Sequence, residues 1–167
     1  ATGDFNGDGL PDLAVTALLD ESSGAYDAGA VYLFSGISSH LNSDMADANS
    51  LADAHIQGNY ERGYLGNSLC ATPDANGNGT EDLFVAEPGG SDGVGMLWLL
   101  DGQSIWTATS PDPAALLGWY GNNSSDGLRI ARSTGDIDGD GITDVVVHQS
   151  GYDDGNGRVV VLLSSDW

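Results

Sequence analysis

Lysine is missing from this 167-residue chain and arginine occurs four times, against 25 acidic residues of which 21 are aspartate. With a formal net charge of −21 there is no basic face to offer a phosphate backbone, which excludes nucleic acid as a partner. Cysteine is nearly missing as well. Cys70 stands alone, so no disulfide forms within the chain, and its neighbours Leu69 and Ala71 predict a thiol packed in the core. No apolar run approaches the roughly 20 residues of a membrane-spanning helix, and no basic segment followed by an apolar one opens the sequence. Catalytic signatures are absent too: there is no GxSxG, no HExxH and no glycine-rich phosphate loop. The histidines stand apart, His148 reading as a packed strand residue and His40 and His55 as solvated ones, so the chain is expected not to be an enzyme. What remains is 40% apolar, enough for one folded domain. The acidity reads either as a solvated surface or as adaptation to salt water, where self-repulsion is screened.

Against these absences, one nine-residue pattern occurs three times: DFNGDGLPD over 4–12, DANGNGTED over 74–82 and DIDGDGITD over 136–144. Oxygen-bearing side chains occupy positions one, three, five and nine: Asp4, Asn6, Asp8 and Asp12; Asp74, Asn76, Asn78 and Asp82; Asp136, Asp138, Asp140 and Asp144. Glycines at positions four and six permit the positive φ of a tight turn, so alternate side chains converge on one point. Such a set suits calcium, which takes 6 to 8 oxygens in flexible geometry, better than magnesium. By analogy with other loops of this kind, position seven lends a backbone carbonyl, here Leu10, Thr80 and Ile142. Three ions are expected. An EF-hand would place glutamate at position twelve, where this chain has Val15, Val85 and Val147 inside β-branched runs, so the loops are strand-to-strand turns. Asx-turns in hairpins without metal are the alternative, weakened by the threefold repetition. Carboxylate count ranks the expected affinities third, first, second.

Loop spacings of 70 and 62 residues give the period of a repeated unit, with expected boundaries 1–58, 59–118 and 119–167. In the central copy, strands are expected over 65–71, 81–86 and 95–100, with a turn at Pro88-Gly89-Gly90 and a weaker fourth strand around Ile105 to Thr109. Four short antiparallel strands per unit describe a propeller blade. Residues 37–54 form a polar excursion with a helical turn. Ala1-Thr2-Gly3 enters the first loop without a preceding strand, and the last unit stops after its third. The fold class is therefore all-β, an open arc of three blades with incomplete terminal ones.

On these residues the pattern resembles the FG-GAP repeat of integrin α-subunit β-propellers and their bacterial relatives. Leu65-Gly66 stands at the FG position, Ala86-Glu87-Pro88 at GAP, and Gly29-Ala30-Val31-Tyr32-Leu33-Phe34-Ser35-Gly36 follows the third-strand GxVYVFxG signature. The first and third GAP positions depart from it, as Thr16-Ala17-Leu18 and His148-Gln149-Ser150. The resemblance implies that the loop residues named above are calcium ligands. It also implies an extracellular or cell-surface module for recognition, adhesion or surface assembly, with calcium in a structural role. Since four blades mark the lower limit of ordinary propellers, the arc is expected to be part of something longer. The alternatives are a ring or filament completed by copies of itself, and a carbohydrate-binding accessory module of an extracellular hydrolase. Tyr60, Tyr64, Trp119, Tyr120 and Tyr152, expected in connections, are the candidate contacts for a protein or glycan ligand.

Overall fold

The structure is a computed structural model, and it describes residues 1–36, 48–123 and 127–166. Among the described residues, eleven strands form three antiparallel sheets. The first sheet runs β1 (Thr2–Gly3), β2 (Asp12–Ala17), β3 (Ala30–Phe34) and β4 (Ala54–Gln57). The second runs β5 (Ser68–Thr72), β6 (Asp82–Glu87), β7 (Met96–Leu100) and β8 (Ala115–Tyr120). The third has β9 (Leu128–Gly135), β10 (Asp144–Gln149) and β11 (Arg158–Leu162), with β10 in the centre. These are propeller blades in sequence order, and the sheets do not close into a ring. Among the described residues no helix is long and apolar enough to cross a membrane.

Burial explains the strand sequences. Every residue of β6 and β7 is buried, because the central sheet is covered on both faces, and such strands read as continuous apolar runs rather than alternations. On one face Leu83, Val85, Met96, Trp98 and Leu100 pack against Val31, Leu33 and Ile56 of the first sheet. On the other, Phe84, Ala86, Leu97 and Leu99 pack against Leu128, Val145 and Val147 of the third. The outer sheets join the centre at close range: Gly29 lies at φ 83° beside Leu65, where a Cβ would stand 2.4 Å from the Leu65 carbonyl oxygen. β11 is open, with Val159 65% exposed and Val161 42% exposed.

Several elements differ from the sequence reading. The fourth strand of the central blade is not at Ile105 to Thr109. Residues Ser104–Trp106 form a 3₁₀ turn whose Ile105 is fully buried as a plug of the first core, and the strand is β8, after the short helix Pro111–Ala114. Trp119 and Tyr120 therefore lie on a strand rather than in a connection, and Trp119 packs on Phe84 with ring centroids 6.0 Å apart. The first sheet does open with a strand, the two residues of β1 paired with Leu13 and Asp12. His55 is not a solvated residue: it lies on β4 and stacks on Tyr32 at 5.7 Å. Cys70, on β5, is partly buried at the edge of the second core cluster. Of the excursion, residues 37–47, including His40, lie outside the described residues; Ala48–Leu51 is a helical turn and Ala54 already belongs to β4. The turns after β6 and β10 share one left-handed conformation, with φ of 51° and 58° at Ser91 and Asp92 and of 53° and 56° at Asp153 and Asp154. Short polar side chains tolerate that conformation best.

One acid sits inside this packing. Glu87, at the end of β6, is 1% exposed; Trp98 donates its indole N–H to Oε2 at 3.0 Å, while Oε1 has no hydrogen-bond partner. Burial pushes its carboxyl up to about 7. Between its ordinary value and about 7, the folded chain holds a proton that the unfolded chain releases. Stability therefore falls as pH rises through that window and levels off above it. Glu87→Gln should remove the slope, so that in urea denaturation its advantage over the parent is small at pH 4.5 and grows to about 3 kcal/mol at pH 8. Phe84→Ala, by contrast, empties the interface between two sheets and should cost about 3–5 kcal/mol at any pH, whereas Val159→Ala should stay within about 0.5 kcal/mol.

Candidate metal centres

All three aspartate loops are turns between the first two strands of a sheet: 4–12 between β1 and β2, 74–82 between β5 and β6, and 136–144 between β9 and β10. Their glycines at positions four and six have φ of 76° and 84°, 79° and 94°, and 85° and 94° in chain order, as the sequence requires.

The side chains fold the backbone around themselves. The first-position aspartate accepts three successive backbone N–H groups, those of Gly7, Asp8 and Gly9 on Asp4, of Gly77, Asn78 and Gly79 on Asp74, and of Gly139, Asp140 and Gly141 on Asp136. The third-position side chain accepts the N–H of position five at 2.9, 3.0 and 3.2 Å. The fifth accepts the N–H of position seven, Leu10, Thr80 or Ile142, at 2.8, 2.9 and 2.8 Å. These are Asx-turns in series.

Position nine ties each loop to the sheet. Asp12, Asp82 and Asp144 are 1%, 0% and 0% exposed. One oxygen of each accepts the N–H of position two, from Phe5 at 3.0 Å, Ala75 at 2.8 Å and Ile137 at 2.6 Å. The other accepts an N–H from just beyond the third strand, from Gly36, Gly102 and Ser164, each at 2.9 Å. Sequence reasoning did not assign these three partners, although Gly102 and Ser164 stand at the same offset of 20 from their aspartates. It also missed Glu81, whose carboxylate accepts the N–H of Asp4 at 2.9 Å and so links the first loop to the second.

Charge follows this geometry. Burial raises the pKa of Asp12 and Asp82. Hydrogen bonds, that of Gly79 first, lower the pKa of Asp74, and the Ser164 hydroxyl lowers that of Asp140. Asp138 is raised by desolvation and then by the carboxylates of Asp140, Asp144 and Asp136. In the third loop, carboxylate oxygens of Asp136, Asp138 and Asp144 lie within 4.8 Å of one another, the one acidic group of three among the described residues. Mutually repelling carboxylates that converge in this way fit a hard divalent cation. Asp140 is not part of this group and accepts the hydroxyl of the buried Ser164. In the first loop the position-three group is Asn6, whose amide lies 3.3 Å from Asp12.

The family model described as FG-GAP repeat matches residues 1–34, the first loop with β1 to β3. The chain carries an FG-GAP repeat. It is similar to integrin alpha-IIb of Mus musculus, 33% identical over 153 residues, and to integrin alpha-PS5 of Drosophila melanogaster, 29% identical over 151 residues. These alignments cover 88% and 89% of this chain and 14% of each relative. The other two sheets share the arrangement of that first blade, with one aspartate loop between the first two strands of each.

If position nine is the structural anchor and Asp138 of the third loop is a mutually repelled charge, two substitutions should separate these roles without any added cation. Asp82→Ala leaves the buried Gly102 N–H and the partly buried Ala75 N–H unpaired and should cost about 2–4 kcal/mol in a denaturant titration. Asp138→Asn, which relieves repulsion at an exposed site, should leave stability unchanged or slightly raised.

Proposed function

We propose that this chain is a calcium-stabilised, non-catalytic β-propeller segment that serves extracellular or cell-surface recognition and adhesion. The observation that carries the reading is the convergence of Asp136, Asp138 and Asp144 within 4.8 Å, in a loop whose backbone scaffold recurs in the other blades. A cation there would be held by these three side chains, with the Ile142 carbonyl as the family pattern implies. In the first loop the corresponding set is Asp4, Asn6, Asp8 and Asp12, with the Leu10 carbonyl. The metal's contribution is charge neutralisation at the corner of a blade, which lowers the self-repulsion of a strongly acidic chain.

Similarity to two integrin α chains supports the adhesion reading, and protein partners follow from it. Repeat domains of this kind present broad surfaces rather than enclosed pockets. At the end of the blades opposite the loops, Asn59, Tyr60, Glu61, Arg62, Gly89 and Asp92 line a depression of about 410 Å³ suited to such contact. The filament alternative keeps one supporting feature, the open β11 edge, where a strand from another copy would pair.

Thermal unfolding in millimolar calcium and in chelator tests the metal. Calcium should raise the melting temperature, magnesium at the same concentration should raise it less, and Asp136→Ala should reduce the calcium increment. An increment that survives simultaneous replacement of Asp4 and Asp136 would place the ion elsewhere and sink the reading.

A further inference from the structure

The second loop differs from its two counterparts in what its side chains face. At positions three and five it carries two amides, Asn76 and Asn78, where the third loop carries two carboxylates and the first carries Asp8 at position five. Their oxygens are engaged by the backbone: Asn76 Oδ1 accepts the N–H of Asn78, and Asn78 Oδ1 accepts the N–H and the hydroxyl of Thr80. Their Nδ2 groups donate to one atom, Asp101 Oδ1, at 3.0 and 2.6 Å. Rotating either amide would set oxygen against carboxylate on one side and N–H against NH₂ on the other, so the network fixes both orientations.

Asp101 itself is saturated. It is 9% exposed; Oδ1 takes the two amides, and Oδ2 takes the N–H of Ser104 at 3.1 Å and the Ser104 hydroxyl. Four donors on one carboxylate leave it little capacity to ligate a cation. The same place at the end of the third strand holds Ser35 in the first blade and Leu163 in the last, neither of them acidic. A carboxylate thus stands at the strand end in the one blade whose loop has amides at both positions three and five.

We propose that Asp101 closes the second loop in place of an ion, so that the chain holds two calcium ions, on its first and third loops, and not the three that the sequence pattern suggests. The inference rests on the reading of the loops as calcium sites. Its consequence is a central blade whose corner is independent of calcium, flanked by two whose corners depend on it.

Native mass spectrometry of the full chain in millimolar calcium should show two bound ions, and Asn76→Asp with Asn78→Asp should raise the number to three. Three ions on the parent chain, or two on the double variant, would overturn the proposal while leaving the calcium reading intact. Asp101→Ala tests the closure without any metal: in chelator it should lower the melting temperature by about 3–6 °C. An unchanged melting temperature would overturn the closure. No bound ion with a normal Asp101→Ala effect would instead sink the calcium reading and leave Asp101 as the closing residue.

Discussion

The fold depends on a buried carboxylate placed where a loop meets a sheet. Asp12, Asp82 and Asp144 each spend both oxygens on backbone N–H groups that come from opposite sides of a blade, the start of the loop and the end of the third strand. A buried ion is costly unless its lone pairs are met, and meeting them here requires the first, second and third strands to be in register at once. Burial at that point raises the pKa of Asp12 and Asp82. Everything else about a blade, including the direction in which its second strand leaves the loop, is set from that point.

From the same anchor comes the way the sheets stack. Position nine begins the second strand, so the residues that follow alternate between the two faces of the sheet, and in β6 both faces are apolar. Leu83 and Val85 then meet the first sheet while Phe84 and Ala86 meet the third. The inner strands β6 and β7 are thus fully buried, and exposed apolar positions lie on strands away from them, Val15 on β2, Leu117 and Tyr120 on β8, and Val159 and Val161 on β11. A chain of such blades holds together by neighbour contacts alone.

The features visible in the sequence were those set by local chemistry. Aspartate–glycine spacing marked the loops because Asx-turns need those residues at those offsets, and the run Ala30–Phe34 marked a third strand through its resemblance to the GxVYVFxG signature. The features that were missed are set by distant partners. Ile105 has the composition of a strand residue but serves as a plug, and the true fourth strand, Ala115–Tyr120, is interrupted by Gly118 and half-exposed, so it carries no periodic signal. β1 is two residues long and exists only through its pairing with Leu13 and Asp12. Asp101 looked like one acidic residue among many, since its meaning lies in two amides more than 20 positions away.

The left-handed glycines and the Asx-turns also determine how these corners behave in time. Each loop is already held in shape by its own aspartate, which takes the place of solvent for three N–H groups in a row. The ordering entropy of the turn belongs to folding rather than to ligand capture. A cation bound at such a corner would meet a loop already folded. Occupancy there would change how firmly a blade is pinned rather than the shape of its turn.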